Sequence, residues 1–207
     1  MSKIKCILFD IGGVLVDWHM SWITSEIAKR FEINEVDVVE SFGNYLPELD
    51  CGKIKEKTFW EKIANDTNSS LLAQTTESLW NTYFQKNAKI NHDVLSLVSH
   101  LKGNYSLGII SNIEEITHKI VHDWSVLDNF THRFLSYQIG FSKPDVRIYE
   151  HVLDSLPFEG QDMVFIDDKP SNVESAQKCG INSIHFTNYA KLRKSLQDLE
   201  IEIGKPA

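Results

Sequence analysis

Four short stretches of the chain each lead to a residue type that phosphate chemistry uses. Cys6-Ile7-Leu8-Phe9 stops at Asp10 and is followed by Gly12-Gly13. Leu107-Gly108-Ile109-Ile110 stops at Ser111-Asn112. Phe134-Leu135 leads into a loop carrying Lys143-Pro144, and Met163-Val164-Phe165-Ile166 stops at Asp167-Asp168. Short apolar runs read as buried parallel strands. Open sheets of such strands bind ligands at the carboxyl ends of the strands. The order Asp, Ser, Lys, Asp-Asp therefore predicts one site holding a nucleophile, a hydroxyl donor, a cation and a metal-binding pair of acids.

Each residue also has a plainer reading. Asp10 could cap the turn that follows it, although a carboxylate there can also attack phosphorus. The glycines after it let the backbone turn sharply and approach a ligand. Asp167 and Asp168 repel each other unless positive charge is near. A hard dication with oxygen ligands would supply that charge, magnesium being the usual choice at phosphoryl sites. They could equally cap the helix that starts at Pro170. Ser111 and Asn112 read as the start of a helix, where a hydroxyl and free amides hold either a phosphate oxygen or the helix end itself. Lys143 is either a site cation or a solvated lysine. Singly these signals are weak, and their common order on successive strands is what carries weight.

The elements that must position these residues follow from periodicity. From about Trp18 to Gln85 the pattern is helical, with Trp22, Ile23, Ile27 and Phe31, then Phe59, Trp60 and Ile63, at helical spacing. Leu71, Leu72, Leu79 and Tyr83 recur more loosely, and the stretch holds four of the five tryptophans. It reads as a helical insert with its own small core. Beyond it strands and helices alternate. Helices are expected over about 94–101, closed by Gly103, over 113–124, 145–156, 170–179 and 191–199, with a last strand over 182–186. Such alternation predicts an α/β, Rossmann-like three-layer sandwich with a parallel sheet. The expected domains are a core of residues 1–17 and 86–207 and a helical cap of residues 18–85.

The chain has 207 residues, 42% of them hydrophobic, enough for a sizeable core. No stretch has the apolar length of a membrane span. The first residues lack a signal peptide's apolar region, so a cytoplasmic location is the expectation. Cys6, Cys51 and Cys179 fit neither a disulfide framework nor a zinc site and read as small hydrophobes. A formal net charge of −8 disfavours nucleic acid and anionic membrane as partners. It leaves room for an anionic small molecule where a metal and a lysine reverse the local field.

On these residues the chain resembles the haloacid-dehalogenase-type superfamily of hydrolases. Phe9-Asp10-Ile11-Gly12-Gly13-Val14-Leu15 resembles its first motif, Ser111-Asn112 its second, Lys143-Pro144 its third and Ile166-Asp167-Asp168 its fourth. Asn172-Val173-Glu174-Ser175-Ala176 with Gly180 belongs to the likeness, as does a helical cap between the first two motifs. The branch it is most similar to is that of the small sugar-phosphate phosphatases resembling glucose-1-phosphate phosphatase, with Asp17 in the place of a further early aspartate. The resemblance implies a magnesium-dependent phosphatase of a small phosphomonoester, a sugar phosphate, working through an aspartyl-phosphate. Asp10 would be nucleophile and metal ligand, Gly12 would offer its carbonyl to Mg2+, and Asp168 would be the direct acidic ligand with Asp167 beside it. Ser111, Asn112 and Lys143 would bind phosphate, and Lys143 would balance the charge of Asp10.

The family's usual second aspartate, two residues after the nucleophile, is Gly12 here. General acid–base help is typically worth about 10²–10⁴-fold, so another group must supply it or the substrate must need less. His19 and Asp17 are candidates, each with a plain alternative as a loop residue and a helix cap. Trp18, His19, Asn44, Tyr45 and Glu48 are the expected specificity contacts of the cap. Two further readings stay open: a metal-independent 2-haloacid dehalogenase, and a non-catalytic binding protein on the same fold.

Overall fold

The computed structural model describes residues 4–204. Residues 1–3 and 205–207, which the expected core segments include, lie outside the described residues. The chain opens with strand β1 (Cys6–Phe9), then a two-residue strand β2 (Val16–Asp17). Helices α1 (Met20–Phe31), α2 (Glu35–Asp50), α3 (Glu56–Asp66), α4 (Ser70–Ala73) and α5 (Leu79–Asn87) follow. Strand β3 (Lys89–Ile90) returns to pair antiparallel with β2, Val16 opposite Ile90.

The rest alternates as α6 (His92–Leu101), β4 (Ser106–Ser111), α7 (Glu115–Asp123), β5 (His132–Leu135) and short α8 (Ser136–Ile139). Then come α9 (Val146–Ser155), β6 (Met163–Asp167), α10 (Pro170–Lys178), β7 (Asn182–His185) and α11 (Tyr189–Asp198). The sheet has the order β5-β4-β1-β6-β7, and each neighbouring pair is parallel. The chain moves outward on one side of β1 and then crosses to the other. The crevice beside β1 at the strands' carboxyl ends is thus the switch point where such sheets bind ligands.

Successive side chains of a strand face opposite ways, and the core divides accordingly. Ile7 and Phe9 of β1, with Val164 and Ile166 of β6, meet Val94, Leu97, Leu101, Val121, Leu192 and Leu196 from α6, α7 and α11. Cys6, Leu8, Met163 and Phe165 point the other way, onto Ile148, Tyr149 and Val152 of α9 and Ala176 of α10. This makes the sheet the middle of three layers. Cys6 is wholly buried, and Cys51 and Cys179 are half-buried free thiols, none near a disulfide partner among the described residues.

Three details differ from the sequence reading. The helix expected from Ile113 starts at Glu115, capped by the Glu114 side chain on the Thr117 amide. Ser111 is the last strand residue, as expected, and a short link separates it from the helix. Asp17 lies in β2 and does not cap α1, whose N-cap is His19, without a side-chain hydrogen bond among the described residues. The insert helices also keep no separate core. Phe42 and Trp80 stack with centroids 6.0 Å apart, Trp80 meets Trp18 at 6.1 Å, and Phe84 stacks on Trp124 at 5.8 Å. The aromatic seam therefore runs without a break into the layer formed by α6, α7 and α11.

Candidate active site

Parallel register brings the strand ends into line. Phe9 pairs with both Ile109 and Ile166, so Asp10, Ser111 and Asp167 emerge together at one edge. Asp10 is only 6% exposed. Its Oδ1 accepts hydrogen bonds from the Ile11 amide at 2.7 Å and from Ser111 Oγ at 2.8 Å. Its Oδ2 lies 2.9 Å from Lys143 Nζ.

Lys143 is buried, which a lysine without partners almost never is. Its ammonium is held by Asp10, by Asp167 Oδ2 at 2.6 Å and by the Ile110 carbonyl at 2.9 Å. Its backbone is clamped as well. Lys143 N donates to Asn112 Oδ1 at 2.7 Å, and Asn112 Nδ2 donates to the Lys143 carbonyl at 2.8 Å. The Asn112 side chain is thereby committed to placing the lysine loop. Ser175 Oγ fixes the next carbonyl, that of Pro144, at 2.5 Å.

Asp167 is engaged on both oxygens, by Lys143, by the Lys169 amide at 2.8 Å and by Asn172 Nδ2 at 3.0 Å. Asp168 differs. Its Oδ1 is buried and has no hydrogen-bond partner among the described residues. One oxygen from each of Asp10, Asp167 and Asp168 lies within 4.8 Å of the others. An orphaned carboxylate oxygen beside two more, with no nitrogen or sulfur donor in the set, fits a hard dication such as magnesium. Gly13 makes the arrangement possible. It has φ +77°, and a Cβ on it would lie 2.5 Å from Asp168 Cγ. Gly12 has no such backbone need; a Cβ there would meet the Trp18 ring, with Cδ1 at 3.3 Å and Nε1 at 3.9 Å.

The electrostatics follow the donors. Burial pushes the Asp10 carboxyl up to about 7, against the pull of Lys143 and with the push of Asp167. Burial would raise Asp167 too, but Lys143 and the surrounding donors hold it below its ordinary value. The lysine is thus shared unequally, because Asp167 has the richer set of hydrogen bonds. Burial and then the neighbouring Asp167 raise Asp168. Burial works against the Lys143 charge, yet the two carboxylates keep its pKa above the ordinary lysine value.

Asp10, Gly12, Ser111, Asn112, Lys143 and Asp168 line one cavity of about 310 Å³, whose other wall comes from Trp18, His19, Leu46, Asp50, Trp80 and Phe84. Among the expected specificity contacts, Trp18 and His19 reach it. Tyr45 and Glu48 face α3 instead: Tyr45 donates to Asp66 at 3.2 Å, and Glu48 pairs with Lys62 at 3.3 Å. Asn44 is exposed and is not part of the lining. Sequence reasoning missed Asp50 and Glu114, two acids on the cavity wall. Helix-end position was the only local signal for either, and it does not separate them from solvated acids.

Glu114 is buried and accepts hydrogen bonds from the amide and hydroxyl of Thr117, whose Oγ1 accepts in turn from Trp80 Nε1 at 2.8 Å. Burial nevertheless raises its pKa from 4.5 to about 7. Between those values the folded state binds a proton that the unfolded state releases, so stability falls as pH rises through the window. Glu114→Gln is expected to remove about 3 kcal/mol of that slope. Urea unfolding of both proteins at pH 4.5 and 7.5 measures it, and parallel pH curves would refute it.

A family profile described as haloacid dehalogenase-like hydrolase matches residues 7–186. D-ribitol-5-phosphate phosphatase of Bacteroides thetaiotaomicron is 23% identical over 209 residues, covering 93% of this chain and 97% of its own. A sesquiterpene phosphatase of Aspergillus oryzae is 26% identical over 194 residues, covering 90% and 92%. A haloacid dehalogenase-type enzyme of Bacteroides thetaiotaomicron, solved with magnesium and inorganic phosphate, superposes with a TM-score of 0.75 at 23% identity, over 91% of this chain and 98% of that one. A 2-haloacid dehalogenase of Pseudomonas syringae gives 0.66 at 16% identity, over 94% and 99%. The structural likenesses are of fold, which both chemistries share. No helix among the described residues is long and apolar enough to cross a membrane.

Proposed function

The chain belongs to the haloacid dehalogenase-like hydrolases, and on that premise we propose that it is a magnesium-dependent phosphatase of a small phosphomonoester, a sugar phosphate first among them. The observation that carries this is the orphaned Asp168 Oδ1 beside the buried, lysine-paired Asp10. Two relatives named as phosphatases support it. A cavity of about 310 Å³ suits a small molecule rather than a polymer.

In this reading an Asp10 carboxylate oxygen attacks phosphorus and the bond to the leaving oxygen breaks, giving an aspartyl-phosphate that water then cleaves. Ser111 Oγ, whose proton is given to Asp10 Oδ1 here, would turn that proton to a phosphoryl oxygen. Lys143 offsets the charge of Asp10 and the phosphoryl group, and Asp167 holds Lys143 in place. Asn112 acts by clamping the Lys143 backbone, leaving only its main chain for the substrate. Asp10, Asp168 and the Gly12 carbonyl would hold magnesium, with Asp167 beside them; the bound ion supplies Lewis-acid stabilisation of phosphoryl charge. Residues 18–85 serve as the cap, closing the cavity with Trp18, Leu46, Trp80 and Phe84 and excluding water.

The test is hydrolysis of 4-nitrophenyl phosphate and a panel of sugar phosphates, with magnesium and after chelation. The expected result is a fall of about 10³-fold on chelation, the worth of several kcal/mol of metal charge stabilisation, restored by added magnesium. Full activity after exhaustive chelation overturns the metal, and metal-free chloride release from 2-chloroacids would put a dehalogenase in its place. No turnover of any phosphomonoester would leave a binding protein.

A further inference from the structure

Two proton transfers in the proposed reaction lack an agent at the strand ends. The leaving alkoxide needs a proton, and the attacking water must lose one. Gly12 has no side chain, Ser111 donates to Asp10, and Lys143 is locked between two carboxylates. On the facing wall stands Asp50, the last residue of α2. It is half-buried. Its backbone carbonyl is anchored by Ser136 Oγ at 2.5 Å, while its carboxylate has no hydrogen-bond partner among the described residues. The main chain is fixed and the head group is free to meet a ligand.

We infer that Asp50 is the general acid and base of this enzyme, supplied by the helical insert in place of the side chain that Gly12 lacks. The inference rests on the phosphatase reading above. In the first step the Asp50 carboxyl gives its proton to the leaving oxygen as the phosphorus–oxygen bond breaks and Asp10 becomes phosphorylated. In the second, the Asp50 carboxylate takes a proton from water as its oxygen attacks phosphorus. The bond to Asp10 then breaks, releasing inorganic phosphate and restoring both acids. One alcohol and one phosphate leave for each ester and water consumed.

The surroundings suit the role. The charged groups facing Asp50 are Glu114 ahead of α7, Lys169 ahead of α10, and Asp10 and Lys143 at the strand ends. Burial, then Glu114 and Asp10, hold its carboxyl well above the usual range, against the pull of Lys169 and Lys143. Its place at the negative end of a 16-residue helix works in the same direction. These surroundings favour the protonated carboxyl, the form a general acid uses. Glu114 is the positioning partner. Its oxygen is tied to Thr117, so it tunes Asp50 rather than reaching the substrate. Paired acids whose surroundings separate their roles are a recurring pattern in hydrolases.

The test compares esters by leaving group. With Asp50→Asn, kcat/KM for an alkyl phosphate such as a sugar 6-phosphate should fall about 10²–10⁴-fold, and that for 4-nitrophenyl phosphate less than about tenfold. The alkyl pH–rate profile should also lose its basic limb. An equal loss for both esters, or no loss, overturns the inference and returns the role to a group such as His19. Glu114→Gln is the second variant, read even if Asp50→Asn fails to fold. It should shift the basic limb to lower pH without sorting esters by leaving group, and an unmoved limb counts against Asp50. A wild type that hydrolyses neither ester removes the phosphatase reading itself, and this inference with it.

Discussion

Asp10→Asn is expected to leave a folded protein whose turnover has fallen by roughly 10⁴-fold or more, the scale seen when a covalent nucleophile is removed. The amide keeps Oδ1 as acceptor for the Ile11 amide and Ser111 Oγ, now at 2.7 and 2.8 Å. Its nitrogen would turn toward Lys143, which still has Asp167 at 2.6 Å and the Ile110 carbonyl at 2.9 Å. The fold therefore loses one contact among several. In the proposed mechanism the chemistry loses its nucleophile, because an amide's electrons are delocalised and do not attack phosphorus. Steady-state rates and melting curves measured side by side decide it. A variant that keeps more than about 1% of the wild-type rate would show that Asp10 is not the nucleophile.

The second large effect is on stability. Lys143→Met keeps roughly the volume but removes the only cation in contact with the Asp10 and Asp167 carboxylates among the described residues. Breaking a buried ion pair from one side costs about 3–5 kcal/mol, because the remaining charge is left without compensation. Asp10 can relieve part of this by taking a proton, its carboxyl already standing near 7. The deficit should thus be smallest in mild acid and grow as pH rises past neutrality, where that proton is lost. Urea unfolding in the presence of chelator, at pH 5.5 and 8, measures both the size and the trend. A variant as stable as the wild type at pH 8 would mean that Lys143 is not the counter-ion of this cluster.

Much of the candidate site was legible in the chain because strands advertise their ends. Asp10, Ser111, Asp167 and Asp168 each terminate an apolar run, and parallel strands place such ends on one edge whatever the connections between them. Lys143 was legible only by its order between the second and fourth runs. Its burial, and the Asn112 clamp that aims it, depend on contacts 31 residues apart in sequence. The two-residue pair of β2 and β3 was not readable, since two residues have no periodicity and the pairing spans the whole insert.

The cavity wall facing the strand ends shows the limit most plainly. The expected contacts Tyr45 and Glu48 share α2 with Asp50, but they lie five and two residues before it, turned away from it by about 140° and about 200° around the helix axis. Helical spacing identified which faces of the insert are apolar without saying what covers them, and the cover proved to be Trp18, Trp80, Phe84 and Trp124 in one seam. By itself the chain determined the sheet, the order of its strands' polar ends and the family, because short apolar runs and their stops are local facts. Which acid faces those ends across the cavity was decided only by tertiary structure. A helix carries its side chains all around its axis, and packing alone selects the one that points inward.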